Sequence, residues 1–156
     1  MKIKKIKIKN FYSFKNVTLN LEKYKGLTLI KGLNKDSEGS NGSGKSALIE
    51  AVYFGLTGKT IRKSTEAALV NNQAKKGCVV ELTLDDKVVI KRYKKPSKLE
   101  LFIDKENKSE ESQAATQKKI DSLLNTNAKV LMTSMFFGQS NDLNFLDATP
   151  EDKRTI

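Results

Sequence analysis

The 156 residues are 38% hydrophobic, 30% charged and 7% aromatic, a balance that fits one globular domain burying ~70% of its unfolded-chain surface and excludes a wholly disordered chain. A single cysteine, Cys78, excludes an internal disulfide, and the absence of histidine excludes histidine acid–base chemistry and histidine-ligated metal. The 29 Lys and Arg against 18 Asp and Glu leave +11 at pH 7, which points to a polyanion, nucleic acid first, beside the plainer reading of a lysine-rich solubilising surface.

In chain order, Ile6 and Ile8 alternate with Lys5, Lys7 and Lys9, and Val17, Leu19 and Leu21 repeat the period of two. This predicts two strands of a hairpin joined through Asn10 to Asn16. Residues 27–31 predict a short apolar strand ending at Gly32, followed by a polar, glycine-rich loop over 33–44. From Lys45 onward, Leu48, Ala51, Val52 and Leu56 fall at helical spacing, with Gly55 and Gly58 as the C-terminal stop. A short helical segment is expected over 65–70. Strands are expected over 78–84, 88–93 and 99–103, with turns at Asp85-Asp86 and around Pro96, then helices over 112–124 and 127–136. No run approaches the ~18 apolar residues of a membrane span, so the chain reads as cytoplasmic with no membrane partner.

Thr149-Pro150-Glu151-Asp152 is a well-formed helix start, with an N-cap, a proline at the first helical position and two acids at the positive end of the dipole. A helix of about seven residues is unstable alone in water. The expectation is therefore that 150–156 begin a longer helix that is cut off, the 156 residues being a piece of a larger protein.

The strongest chemical signal is Gly39-Ser40-Asn41-Gly42-Ser43-Gly44-Lys45-Ser46, which fits G-x-x-x-x-G-K-[ST] between an expected strand and an expected helix. A loop whose backbone N–H groups converge on a triphosphate needs residues without a Cβ where the phosphates approach, and Gly39, Gly42 and Gly44 meet that need. Lys45 can extend along the β and γ phosphates, Ser46 can offer its hydroxyl to Mg²⁺, and the helix N-terminus through Ala47 adds its dipole. The expected ligands are ATP and Mg²⁺.

Around this loop the chain resembles the N-terminal ATPase segment of the SbcC-type DNA double-strand-break repair ATPases, in the SMC branch of the ABC ATPases, and their bacteriophage recombination-endonuclease relatives in particular. The matching pieces are Ile6 to Phe14, the phosphate loop with Asn41, Tyr53 to Lys59, Phe137-Gly138-Gln139-Ser140, Phe145-Leu146 and Pro150 to Arg154. Two departures stand out: residues 33–38 are inserted after Gly32, and Tyr12 stands where many relatives place arginine. The resemblance implies an α/β P-loop NTPase fold, the N-terminal lobe (1–156) of an ABC/SMC-type head, with a mixed sheet around the phosphate-loop helix and 150–156 opening a coiled coil. It gives Gln139 a role on Mg²⁺ and the attacking water; on sequence alone Gln139 is equally an ordinary loop residue. It also implies a C-terminal lobe of the same ATPase carrying an acidic strand and a signature motif, a second head in a homodimer, a metallo-nuclease subunit and double-stranded DNA. Leu101-Phe102-Ile103-Asp104 imitates the acidic strand but lacks a glutamate after the aspartate, and reads as a hairpin strand.

Lysines and arginines cluster at Lys87, Lys91, Arg92, Lys94, Lys95 and Lys98 on an expected hairpin, and at Lys59, Arg62 and Lys63 after the loop helix. Arg62, Lys63, Lys94, Lys95 and Lys98 are the candidate DNA-phosphate contacts; a solvated strand face is the plainer alternative. Two rivals to the DNA-end-processing ATPase follow: an SMC-like DNA organiser without a nuclease, and a P-loop small-molecule kinase. The kinase would need a lid and an acceptor pocket that the sequence does not display.

Overall fold

A computed structural model describes residues 1–33, 39–40, 42–62 and 66–134. In chain order these form strands β1 (Ile3–Phe11) and β2 (Phe14–Asn20), helix α1 (Lys45–Thr57), a 3₁₀ turn (Glu66–Leu69) and strands β3 (Cys78–Leu84), β4 (Val88–Lys94), β5 (Lys98–Ile103) and β6 (Glu106–Asn107). Helices α2 (Gln113–Leu124) and α3 (Ala128–Ser134) follow. The strands make one sheet in the order β2-β1-β3-β4-β5-β6, and every described pairing is antiparallel. The α/β class stands: α1 packs over β1, β3 and β4, and α2 over β5.

The period of two explains the core. Ile6 and Ile8 of β1, Val80 and Leu82 of β3, Ile90 of β4 and Leu101 of β5 all face the helices and are buried, joined by Phe11 and Phe54 with ring centroids 5.5 Å apart. Full burial of each such side chain contributes ~1.5–3 kcal/mol. Arg92 keeps the same phase as Val88 and Ile90, so it too points inward and is buried. Its membership of the basic surface cluster is thereby corrected: Nε donates to the Gly55 carbonyl at 3.3 Å and Nη2 to Gln117 Oε1. Burial pulls its pKa down to about 10, with the Asp121 charge opposing. Gln117 Nε2 in turn donates to the Leu56 carbonyl at 3.0 Å and to Asp121 Oδ1 at 2.8 Å. Together Arg92 and Gln117 occupy carbonyls that the last turn of α1 cannot satisfy itself, tying the helix end to β4 and α2.

Three local expectations differ from the structure. The first hairpin is tighter than a connection over 10–16, because Phe11 pairs with Phe14 and leaves Tyr12-Ser13 as the turn. Residues 27–31 form no strand: Leu27, Leu29, Ile30 and Leu33 are exposed and 27–33 belong to no ladder. A strand exists only where its N–H and C=O groups find a partner, and this segment, which alone precedes a helical crossover after the first hairpin, has none among the described residues. Gly55 does not stop α1; Gly58 does, at φ 73° with its N–H on the Phe54 carbonyl at 2.8 Å. The remaining strands, α1 and α2 lie where periodicity puts them, α2 capped by Ser112, whose side chain accepts from the Ala115 N–H at 3.1 Å. The helix expected over 127–136 is seen over Ala128–Ser134, with the Asn127 carboxamide accepting from the Lys129 and Val130 N–H groups. The two residues of β6 had no pattern to announce them. Residues 34–38 and the helix start at 149–156 lie outside the described residues, and no helix among those described is long and apolar enough to cross a membrane.

Candidate functional site

The phosphate loop leads directly into α1. Gly44 is the N-cap, at φ 88°, and its lack of a side chain leaves the helix without a side-chain cap; the first turn carries no acid. Gly42 is also left-handed, at φ 74°. A Cβ on Gly44 would stand 3.2 Å from Phe14 Cζ and 3.5 Å from Ser13 Oγ, so the turn of the first hairpin packs against the loop and fixes its height over the sheet. One on Gly32 would fall 1.7 Å from Ser43 Oγ, which places the end of the 27–33 segment against the loop from the other side.

Inside the loop, Ser43 Oγ donates to the Ser40 carbonyl at 2.7 Å. The Lys45 ammonium bends back over the loop, donating to the same carbonyl and to Ser43 Oγ at 3.2 Å. Ser46 is exposed in the first turn of α1. The result is a half-exposed cation beside N–H groups that no side chain caps, at the positive end of a 13-residue helix, a combination that attracts an anion. For a metal, the first turn of α1 offers the exposed Ser46 hydroxyl, and the described residues hold no cluster of three carboxylates or thiols. That set suits Mg²⁺, which keeps waters and takes its other ligands from phosphates, rather than a cation needing an all-protein cage.

Beside the loop, sharing Ser13, is a cavity of about 500 Å³ lined by Tyr12, Ser13, Lys15, Ala68, Val70 and Asn71 to Gln73. Asn71 holds its floor: Nδ2 donates to the Tyr12 carbonyl at 2.7 Å and Oδ1 accepts from the Gln73 N–H at 3.0 Å. Behind α1, Glu50 is buried and its Oε1 accepts from the N–H groups of Ile61 at 2.6 Å and Arg62 at 3.3 Å. Burial raises its pKa, against those two N–H groups and the Arg62 charge.

Of the sequence-derived site residues, Gly39, Ser40, Gly42, Ser43, Gly44, Lys45, Ser46 and Ala47 are brought together at this one corner. Asn41, Lys63 and Gln139 lie outside the described residues. Lys94, Lys95 and Lys98 sit around the β4–β5 turn, whereas Arg62 sits on the loop tied to Glu50 of α1. Lys98 pairs with Glu100 at 2.6 Å and Lys91 with Glu81 at 3.4 Å, so much of that cluster's charge is matched on its own sheet face. The sequence reading missed Ser13, Phe14 and Gly32 as walls of the loop; their only signal is proximity in space.

The fold and loop define an α/β domain with a phosphate-loop sequence ahead of its first helix. The family model described as "AAA domain" matches residues 5–156, and the chain belongs to that family. Among curated proteins, it is 35% identical over 102 residues to exonuclease subunit 2 of enterobacteria phage T4, covering 57% of this chain and 18% of that one. It is 27% identical to the DNA double-strand break repair Rad50 ATPase of Methanococcus maripaludis, over all of this chain and 15% of that one. To the chromosome partition protein Smc of Methanocaldococcus jannaschii it is 28% identical, over 99% of this chain and 14% of that one. The resemblance to the N-terminal ATPase segment of SbcC/Rad50-type proteins is borne out. The chain spans less than a fifth of these relatives' lengths.

Proposed function

We propose that the chain is the N-terminal, nucleotide-binding lobe of an ATPase head in DNA repair or recombination, which couples ATP binding and hydrolysis to the processing of DNA ends by a partner metallo-nuclease. The observation that carries the reading is the start of α1: Gly44 leaves its N–H groups uncapped and Lys45 arches over them. In this reading the backbone of 39–44 holds the β and γ phosphates, Lys45 neutralises them, and Ser46 is the chain's own ligand to Mg²⁺, which screens charge on the transferred phosphoryl group. Gln139 orients the attacking water. A C-terminal lobe supplies the acidic strand; the exposed apolar residues of 27–33, which adjoin the loop at Gly32 yet belong to no ladder, support a surface completed by further polypeptide. Closure of two such heads in a homodimer then completes each site.

A second reading, an SMC-like DNA organiser without a nuclease, is supported by the similarity to Smc over nearly the whole chain. ATP turnover by the complete protein, measured with and without duplex and alongside its co-purifying proteins, separates the readings. DNA-stimulated turnover that Gln139→Ala lowers while ATP affinity holds, with a metallo-nuclease in the complex, is the expected result. Stimulation without any nuclease would favour the organiser, and turnover indifferent to DNA would contradict both.

A further inference from the structure

Three of the lysines nominated from sequence for DNA contact, Lys94, Lys95 and Lys98, follow one another along a hairpin, but the fold groups a different set. Asn10, next to Lys9 at the end of β1, donates from Nδ2 to the Lys76 carbonyl at 3.1 Å and the Gly77 carbonyl at 3.3 Å. The Gly77 N–H donates to the Lys95 carbonyl at 3.0 Å, and the Lys75 N–H to the Asn71 carbonyl at 2.9 Å, while Asn71 itself is bonded to the Asn10 carbonyl. Three segments far apart in sequence are thus pinned side by side at one end of the sheet: the end of β1, the approach to β3 and the β4–β5 turn. Each carries exposed lysine, namely Lys9, Lys75 with Lys76, and Lys95.

This rim differs in kind from the open sheet face beside it. On the face, charge is self-matched: Lys7 bonds Glu81 at 2.7 Å, Lys91 reaches the same carboxylate, and Lys98 bonds Glu100. Among the described residues no carboxylate pairs with Lys9, Lys75, Lys76 or Lys95. We infer that these four lysines form a phosphate-tracking rim that grips the backbone of duplex DNA, an inference that rests on the DNA reading above and relocates its contacts from Lys98 to Lys9, Lys75 and Lys76.

Geometry and chemistry both favour that occupant. Neighbouring strands stand ~4.8 Å apart, so the ends of β1, β3 and β4 span ~10 Å before the side chains add their own reach. A duplex presents one negative charge per ~1.7 Å of axis, so such a row meets several phosphates at once. The four rim residues are lysines, point charges without the planar fork that reads base edges, and the Asn10 carboxamide is engaged with the backbone, so binding there is indifferent to sequence. A single strand would want an exposed ring to stack on. Tyr93, the aromatic nearest the turn, has its hydroxyl on Glu100 at 2.8 Å and the Lys98 ammonium 6.0 Å over its ring.

The test is a salt titration of binding to a fluorescent duplex, using the complete protein. Replacing Lys9, Lys75, Lys76 and Lys95 with alanine should weaken binding at every sequence tried and reduce the log–log salt slope by ~0.9 per lost contact. Lys98→Ala should leave the slope unchanged, and the corresponding four-arginine variant should restore it. ATP affinity and thermal unfolding of the alanine variant should match wild type, which separates a lost surface from a lost fold. An unchanged slope in the four-alanine variant, or a preference for oligo-dT over duplex, would overturn the rim while leaving DNA binding itself intact. Absence of duplex binding by the wild-type protein would instead overturn the DNA reading on which the rim depends.

Discussion

Glu81 is the residue on which the open sheet face balances, because it sits between Lys7 and Lys91 in the register of β1, β3 and β4. Burial alone would raise its pKa, but the two lysines outweigh burial and hold it below the usual carboxylate value of 4.5. Glu100 is lowered as well, mainly by its bond to Lys98. A carboxylate depressed in the folded state contributes stability above its unfolded value, and that contribution is lost as pH falls through the folded value. Glu81→Gln should therefore cost roughly 1 kcal/mol or less at pH 7 and flatten the fall in stability below pH 4.5. Urea unfolding at a series of pH values checks this, and an unaltered acid limb in the variant would show that the ladder is only ornamental. Glu50 works with the opposite sign: its pKa is raised by burial, so its ionisation subtracts stability as pH rises past the ordinary carboxylate value. Cys78 is fully buried and its thiol is pushed up to about 12 by that burial, against the pull of Lys94. It belongs to the core and not to the chemistry.

At the scale of elements, the close approach of α1 to the sheet is set by one residue. A Cβ on Gly55 would lie 2.7 Å from Leu82 Cδ1, 3.0 Å from Leu82 Cγ and 3.1 Å from Val80 Cγ1. Gly55→Ala gains ~1 kcal/mol of helix propensity but overpacks a filled core at ~1–3 kcal/mol. The expected result is a net loss of up to ~2 kcal/mol and a lower thermal midpoint; a raised midpoint would mean that α1 stands further off than its contacts imply. What the sequence disclosed at this scale follows period and length. Strands β3 to β5 alternate cleanly, and α1 and α2 carry apolar residues at helical spacing between recognisable caps, so their placement could be read. Arg92 could have been read too, since the period of two puts it in phase with Val88 and Ile90, but its charge suggested the surface. Residues 27–31 are apolar enough for a strand, yet whether an apolar run is a strand depends on a ladder partner that sequence does not name. Tyr12-Ser13 was hidden because the turn places Tyr12 at positive φ, as the strand before it places Asn10, and no glycine advertises either.

For the whole molecule, the contrast between the two proposed surfaces explains which one was legible. The phosphate loop is contiguous, so eight consecutive residues expose its chemistry before any fold is known. The lysine rim is assembled from three segments through Asn10, Gly77 and Asn71, and only the sheet order β1-β3-β4 brings them together. Charge counting pointed to a polyanion but not to a place for it. The central claim is that the loop ahead of α1 is built around a triphosphate, with Lys45 as its mobile cation, and calorimetric titration of Mg-ATP into the complete protein and its Lys45→Ala variant tests it most directly. A charge-assisted hydrogen bond contributes ~1.5–3 kcal/mol. The wild type should therefore bind saturably at one site per chain, and the variant should bind at least ~10-fold more weakly at an unchanged thermal midpoint without nucleotide; equal affinity in the two would contradict the account.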